Sequence, residues 1–265
     1  MSLDYLKINK KLWNDRTEVH FQSDFYNVEA FIKGKNSLNK IELDLLGNIE
    51  GKSVLHLQCH FGQDTLSLAR MGANVTGVDF SEKAMGKANQ LKEKLNLNAR
   101  FIQSDVYNLK NTLDKKFDIV FTTYGVLGWL PDMTKWAKTA NHFLKPGGKL
   151  ILVEFHPIVW MFSYDFKKIE YNYMDSPPII EELEGTYTDR NAGIKNSSVC
   201  WNHGLASVIS SLIKSGLRIK DFQEYDYSPY NCFENTLRLK ENKFQIKGLE
   251  KKIPMVYSVV ADKSK

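Results

Sequence analysis

The chain has 265 residues, of which 43% are hydrophobic and 25% charged, an ordinary balance for a globular protein that buries a large core. Its net charge is +5, but the lysines occur in scattered pairs among acidic residues, so charge alone disfavours a nucleic-acid-binding protein. Cys59, Cys200 and Cys232 are too far apart for a disulfide framework or a zinc site, so we expect reduced thiols. No stretch is apolar enough for a signal peptide or a membrane span. Together these features predict a cytoplasmic protein.

From residue 37 onward, apolar runs of strand length alternate with segments of helical periodicity. Gly72 stands where a helix would end, and Ser81 is a suitable N-cap for the next helix. Strand–helix alternation at this pitch predicts a parallel sheet with helices on both faces. The predicted elements are, in chain order, a helix at 37–46, a strand at 52–58, a helix at 63–71, a strand at 74–79, a helix at 82–95, strands at 99–105 and 117–123, a helix at 132–144, a strand at 149–155, a helix at 202–215 and strands at 217–225 and 255–261.

The alternation stops after Phe155. Residues 156–200 are rich in tyrosine and show no clear period, which is typical of a functional cover or a small added subdomain. Because the segment leaves the sheet at the carboxyl end of the fifth strand, the ligand side of such a sheet, we expect it to form a lid over the site. The expected organisation is an N-terminal flap and helix at 1–50, a ligand-binding core at 51–156, a lid at 157–200 and the C-terminal part of the core sheet at 201–265.

The turn after the first strand has the layout of a dinucleotide site but not its residues. Gln58 and His60 stand where the G-x-G-x-x-G fingerprint has glycines, and their Cβ atoms would crowd a pyrophosphate. Asp79 closes the second strand 17 positions after Gly62, where a carboxylate can accept hydrogen bonds from a ribose. A ligand with adenosine and no phosphate fits this turn better than NAD, which points to S-adenosylmethionine.

Five motifs in order resemble those of the class I S-adenosylmethionine-dependent methyltransferases over residues 50–157. They are carried by His56–Gly62, Val78–Ser81, Gln103–Val106, Phe117–Val120 and Leu144–Gly148. The nearer likeness is to bacterial small-molecule methyltransferases whose first motif reads L-H-L-Q-C-H-F-G-Q-D. The resemblance implies a doubly wound, mostly parallel seven-stranded Rossmann-like α/β sheet, with the lid inserted after the fifth strand.

The first motif departs from the family at three positions. His56 replaces the usual acidic residue, and Gln58 and His60 replace two glycines. If either of the latter adopts a positive φ, we expect strain of about 1–3 kcal/mol. Gln58 and His60 can each offer a hydrogen-bond donor to the methionine end of the cofactor.

The resemblance implies S-adenosylmethionine as cofactor and S-adenosylhomocysteine as product. Thr122, Thr123 and Tyr124 end the fourth strand and would supply carbonyl groups and an aromatic face near the sulfonium. Phe25 belongs to an N-terminal flap that would close over the methionine end. The expected cofactor-binding residues are Phe25, Leu57, Gln58, Cys59, His60, Gly62, Asp79, Phe80, Ser81, Asp105, Val106, Thr122, Thr123 and Tyr124.

Three residues are candidates for acid–base chemistry. Glu154 and His156 lie two apart at the end of the fifth strand, so we expect both on one face, directed at the substrate. His203 is the third candidate. A histidine before proline also stabilises turns, and that alternative stays open for His156. The expected substrate-contacting aromatic residues are Trp129, Trp160, Tyr164 and Trp201.

These observations predict an enzyme that transfers the methyl group to the O, N, S or C nucleophile of a small molecule by in-line displacement. Two alternatives are a nucleic-acid methyltransferase, disfavoured because T-T-Y-G replaces the N-P-P-Y type of motif after the fourth strand, and a non-catalytic S-adenosylmethionine-binding module. We expect no metal and no membrane partner, and a monomer or a homodimer.

Overall fold

A seven-stranded sheet forms the centre of the protein, in a computed structural model that describes residues 4–174 and 177–265. The strand order is β3-β2-β1-β4-β5-β11-β8. The first five strands in chain order pair in parallel, and β11 runs antiparallel to both β5 and β8. The strands of this sheet are β1 (Ser53–Leu57), β2 (Asn74–Asp79), β3 (Ala99–Gln103), β4 (Phe117–Thr123), β5 (Leu144–Phe155), β8 (Leu217–Tyr225) and β11 (Val256–Lys263). The predicted α/β fold is confirmed.

Helices cover both faces of the sheet. Side chains alternate along each buried strand, so Val54 packs with one helix layer while Leu55 packs with the other. The Val54 face is covered by α3 and α4, and the Leu55 face by α6 and α7. The helices are α1 (Tyr5–Gln22), α2 (Val28–Ile32), α3 (Lys40–Leu46), α4 (Gln63–Arg70), α5 (Glu82–Lys94), α6 (Met133–Phe143) and α7 (Leu205–Lys214).

Local sequence signals set several of these boundaries. The Ser81 hydroxyl accepts a hydrogen bond from the Ala84 N–H at 3.0 Å, so Ser81 is the N-cap of α5 as predicted. Gly72 follows α4 with φ +84°, a conformation that favours glycine. The fifth strand starts at Leu144, earlier than the predicted residue 149.

The longest helix, α1, is absent from the sequence-based prediction. Apart from Leu12, its buried residues are polar: Asn9, Arg16, Thr17 and His20. Apolar periodicity is the main signal for an amphipathic helix, and a helix with a polar buried side gives little of it. Among the described helices none is long and apolar enough to span a bilayer.

The segment after β5 contains regular structure, so its description as aperiodic is wrong. β6 (Ile179–Glu184) and β7 (Lys195–Cys200) form an antiparallel hairpin, and residues 157–200 are called the lid below. A second hairpin, β9 (Thr236–Lys240) with β10 (Lys243–Ile246), follows β8. Along β6 half-buried and exposed residues alternate, but Ile180 is exposed and Glu181 half-buried, so the hydrophobic pattern of the sequence does not reveal this two-residue period.

Candidate functional site

A cavity of about 980 Å³ opens at the carboxyl ends of the parallel strands. Its walls come from the ends of β1 to β5, the inner side of α1, the lid and the segment at 229–234. Ligands of doubly wound sheets bind at this edge, so the cavity occupies the position that the sequence predicts for the site.

The turn from β1 to α4 is built from three residues with left-handed backbone conformation. Gln58, His60 and Gly62 have φ values of +55°, +50° and +80°. The expected strain, about 1–3 kcal/mol for a non-glycine residue, therefore applies at both Gln58 and His60. Gly62 has a second constraint, because a Cβ there would lie 2.6 Å from the ring of Phe101. The Gln58 amide donates a 2.9 Å hydrogen bond to the Val126 carbonyl, which ties this turn to the loop after β4.

Asp79 closes β2 and lines the cavity. Its Oδ2 accepts from the His60 backbone N–H at 2.9 Å and its Oδ1 from the Ser81 N–H at 3.0 Å. Burial raises the pKa of Asp79 to about 6, although these N–H groups oppose the rise. Each carboxylate oxygen accepts more than one hydrogen bond, so the residue remains a suitable acceptor for a diol.

Asp105 lies after β3 on the same edge of the sheet. Its carboxylate accepts from the Tyr107 N–H and from the Asn108 amide, at 3.3 and 3.1 Å. Burial also raises the pKa of Asp105. Asp105 and Val106 line the cavity beside Asp79 and Phe80, so the two acidic motifs that are distant in sequence meet at one end of it.

Arg16 is a cavity residue that the sequence analysis missed. Its side chain is only 6% exposed, and within residues 4–174 and 177–265 no carboxylate pairs with it. Its Nε has no hydrogen-bond partner, and burial lowers the pKa of the guanidinium. The guanidinium carbon lies 5.6 Å from the ring centre of Trp13. An unpaired buried cation in a cavity wall indicates an anionic ligand group.

His60 lies close to Arg16 at this end of the cavity. Burial, and secondarily the charge of Arg16, lowers the pKa of His60 to about 3, so its imidazole is neutral. Its Nε2 is buried without a partner. The ring also contacts Trp13, His20 and Tyr26, at centroid distances between 5.2 and 5.4 Å. Aromatic walls therefore surround the polar groups at this end.

Glu154 lines the cavity, but its carboxylate is fully engaged by backbone groups. It accepts from the N–H groups of Gly125, Val126 (2.8 Å), Leu127 (3.0 Å) and Phe155 (2.7 Å). Burial raises the pKa of Glu154 against the effect of these donors. This geometry contradicts the prediction that Glu154 acts as a base. The Glu154 carboxylate instead anchors the loop after β4.

His156 does not line the cavity, so its position contradicts the predicted catalytic role. Its Nε2 lies 2.9 Å from Oε1 of Glu224 on β8, and its Nδ1 accepts from the Ile158 N–H. His156 lies just beyond the end of β5, where strand alternation no longer fixes the direction of a side chain. His203 does line the cavity, where its Nε2 lies 2.7 Å from the Leu130 carbonyl oxygen.

Most of the remaining predicted residues reach the cavity. Leu57, Ser81 and Thr122 do not: the Thr122 hydroxyl donates to the Leu57 carbonyl inside the sheet, and the Ser81 hydroxyl donates to Asn14. The predicted residues that line the cavity besides those described above are Phe25, Cys59, Phe80, Val106, Thr123, Tyr124, Trp129, Trp160, Tyr164 and Trp201.

Two further acidic residues come together beside Tyr124 at the end of β4. Asp64 in the first turn of α4 lines the cavity, and Glu42 of α3 lies behind Tyr124 with 0% exposure. Tyr124 has φ +36°. Nothing in the sequence singles out Glu42, because it reaches Tyr124 only through the packing of α3 on the sheet. In the described part of the chain, no group of His, Cys, Asp and Glu side chains has the arrangement of a metal site.

Comparisons with known proteins agree with this geometry. Residues 54–148 match the family model of a methyltransferase domain. The chain is 34% identical over 134 residues to an uncharacterized methyltransferase of Synechocystis, covering 49% of this chain and 60% of that protein. It is 32% identical over 130 residues to a ubiquinone biosynthesis O-methyltransferase of Coxiella burnetii, covering 48% and 55%. The chain thus spans a little over half the length of the curated relatives it matches.

A solved structure extends the likeness to nearly the whole fold. An S-adenosylmethionine-dependent methyltransferase from Clostridium acetobutylicum superimposes with a TM-score of 0.59, covering 97% of this chain and 99% of that one. The sequence identity is 17%, so this comparison supports the fold alone.

Proposed function

We propose that this chain is a class I S-adenosylmethionine-dependent methyltransferase, which transfers the methyl group of that cofactor to a small molecule held in the 980 Å³ cavity. The observation that carries the proposal is the continuity of the cavity. It joins the Asp79–Asp105 end to the space between Tyr124 and the lid. Both substrates of a direct transfer would be enclosed together.

The residues present fit the cofactor. Asp79 offers acceptors for ribose hydroxyls, and the Ser104–Val106 turn lies where the adenine would bind. Arg16 and the neutral His60 offer unpaired donors at the opposite end of this subsite, where the methionine carboxylate would lie. A carboxylate there would supply the charge that buried Arg16 lacks.

The cofactor supplies an activated methyl group on a cationic sulfur. The protein would therefore contribute mainly position, which can be worth about 7–11 kcal/mol in a displacement of this kind. Glu154 holds the Gly125–Leu127 backbone in place, and Gln58 ties that loop to the β1–α4 turn. The loop after β4 and the β1–α4 turn, which would flank the reacting atoms, are thus fixed to one another.

The lid and the flap would close the chamber over the acceptor. The hydroxyls of Tyr26 in the flap and Tyr187 in the lid are 2.5 Å apart, and Phe25 packs on Tyr187 with ring centres separated by 5.4 Å. A closed aromatic chamber excludes water and suits a small acceptor better than a polymer.

Calorimetry tests the cofactor assignment directly. The protein should bind S-adenosylmethionine and S-adenosylhomocysteine with micromolar dissociation constants, about −8 kcal/mol, and NAD much more weakly. Transfer of a labelled methyl group to a metabolite mixture then separates an enzyme from a binding module. Tight NAD binding with no response to either sulfur compound would refute the proposal. Labelling of nucleic acid and of no small molecule would refute the acceptor class.

A further inference from the structure

One group of polar side chains at the cavity wall contains only one residue, Tyr124, that the sequence analysis assigns to the cofactor. It consists of Glu42, Asp64, Tyr124 and Tyr230 and is called the acid–tyrosine cluster. The four residues come from α3, α4, the end of β4 and the loop after β8, and three of them line the cavity. They adjoin Thr123, whose hydroxyl lies 3.5 Å from Oδ2 of Asp64.

The carboxyl groups of this cluster lack a cation. Across the two described ranges, neither Glu42 nor Asp64 takes part in an ion pair, and Oε2 of Glu42 is buried with no hydrogen-bond partner. The other oxygen of Glu42 accepts a long 3.4 Å hydrogen bond from the Asn39 amide. Burial, followed by the charge of Asp64, raises the pKa of Glu42 to about 7, and burial also raises the pKa of Asp64.

Aromatic rings form the walls around these carboxyl groups. The ring of Tyr124 lies 5.0 Å from that of Tyr230 and 5.4 Å from that of Phe155. Phe25 of the flap lies 5.7 Å from Tyr230 on the other side. A site that combines aromatic faces with carboxylates attracts a cation through both the ring quadrupoles and the charge.

Other charges in the cavity favour the same kind of ligand. Besides Arg16, the described lining residues include only two basic side chains, Lys35 and Arg190. Arg190 is paired with Glu234, and the lid contributes further carboxylates, among them Glu181 and Glu184. An anionic acceptor would meet repulsion here, whereas an ammonium group would not.

We propose that the acid–tyrosine cluster binds the methyl acceptor through an amine, so that the reaction is an N-methylation. The inference rests on the proposed function and deepens it. Asp64 faces the cavity and would hold the ammonium group. Glu42, which reaches the cavity only through Tyr124, is a positioning residue that adds negative charge behind the tyrosine.

The proton has a defined path in this arrangement. An ammonium nitrogen has no lone pair, so it first gives a proton to the Asp64 carboxylate, which lines the cavity. The nitrogen lone pair then forms the new N–C bond, while the electrons of the breaking C–S bond remain on sulfur as a thioether. The product is a methylated ammonium ion, and Asp64 later releases its proton to water.

Three aromatic probes of matched shape test the charge preference: phenethylamine, 2-phenylethanol and phenylacetate. Each is titrated calorimetrically into protein saturated with S-adenosylhomocysteine, so that the cofactor subsite is filled. The amine should bind at least about tenfold more tightly than the alcohol, and the carboxylate most weakly. Equal affinities, or a preference for the alcohol or the carboxylate, would overturn the proposal.

Three variants assign the effect to the cluster. Asp64→Asn should abolish the preference for the amine, and Glu42→Gln should reduce it, while the affinity for S-adenosylhomocysteine stays within about twofold. Asp44→Asn, which removes an exposed carboxylate paired with Lys40 on the same helix as Glu42, is the control and should behave as wild type. For any acceptor the protein methylates, Glu42→Gln should also shift the pH profile of turnover, which a purely structural change would not do.

The outcomes separate this inference from the proposed function. If Asp64→Asn weakens the binding of S-adenosylhomocysteine as much as the binding of the amine, Asp64 holds the cofactor's own ammonium group and the inference fails. If wild-type protein does not bind S-adenosylhomocysteine at all, the proposed function itself fails.

Discussion

The backbone N–H of His60 donates a 2.9 Å hydrogen bond to Oδ2 of Asp79, which joins the strained turn after β1 to the carboxylate that closes β2. The left-handed φ of His60 is part of this geometry. Asp79, the proposed acceptor for the ribose hydroxyls, is thus held in place by the β1–α4 turn, in which Gln58 and His60 replace glycines. The first prediction follows from this pair.

Asp79→Ala should weaken S-adenosylhomocysteine binding by about 1.5–3 kcal/mol for each charge-assisted hydrogen bond lost. A loss of less than threefold would remove Asp79 from the site. Because burial raises the pKa of Asp79 to about 6, the free carboxyl becomes protonated as the pH falls through 6. Affinity measured by calorimetry should therefore be constant at neutral pH and decrease below pH 6, and Asp79→Asn should bind weakly without that pH dependence.

Arg16→Gln should weaken S-adenosylhomocysteine about tenfold or more, because the ligand carboxylate would lose its charged partner. Binding of 5′-methylthioadenosine, which has no carboxylate, is the matched control and should change little. The same variant should be as stable to urea as wild type or more stable, since it removes a buried cation that no carboxylate in the described chain pairs with. An equal loss for both ligands would mean that Arg16 only supports the fold.

Glu154→Gln should lower turnover and stability together, because an amide nitrogen cannot accept from the N–H groups of Val126 and Leu127. Each buried N–H left unpaired costs about 1–3 kcal/mol. The residual activity should keep the wild-type pH profile, since the carboxylate holds a loop rather than a proton. A variant that folds normally but loses the acidic limb of that profile, where a base becomes protonated, would show that Glu154 acts as a base.

His156→Ala should leave turnover and cofactor affinity nearly unchanged, because the imidazole faces Glu224 outside the cavity. We expect a loss of stability of about 1 kcal/mol from the removed buried contacts, measured by denaturant unfolding. The exposed side chain of Glu224 allows a matched test, in which Glu224→Gln should give a smaller loss of the same kind. A large drop in turnover with unchanged cofactor affinity would show that His156 takes part in the chemical step.

Cofactor should slow hydrogen exchange in residues 20–36 and around 58–62, and an acceptor should add protection within 156–203. The physical reason is the closure of flap on lid through Tyr26 and Tyr187, which the ligand would stabilise. Tyr187→Phe should shorten the lifetime of the protected state while leaving residues 117–123 of the sheet unaffected. Protection confined to the turn at 58–62 would contradict a closing lid.

The sequence by itself determined the sheet, the helices that cover it and the edge at which ligands bind. Buried strands such as 74–79 and 117–123 are short segments rich in β-branched and aromatic residues, and Ser81 and Gly72 mark helix ends through local hydrogen bonding and backbone conformation. The five motifs lie on these elements. Signals of this kind depend only on neighbouring residues, so they can be read without the fold.

The tertiary structure decided which polar side chains meet. Arg16 lies on a helix whose buried side is polar, so no apolar period revealed it. Glu42 reaches Tyr124, 82 positions later, only because α3 packs against the sheet beside β4. His156 follows the end of β5, and its imidazole lies against Glu224 of β8, away from the cavity. Contacts between distant parts of a chain are set by how its layers pack, and that information is absent from any short stretch of sequence.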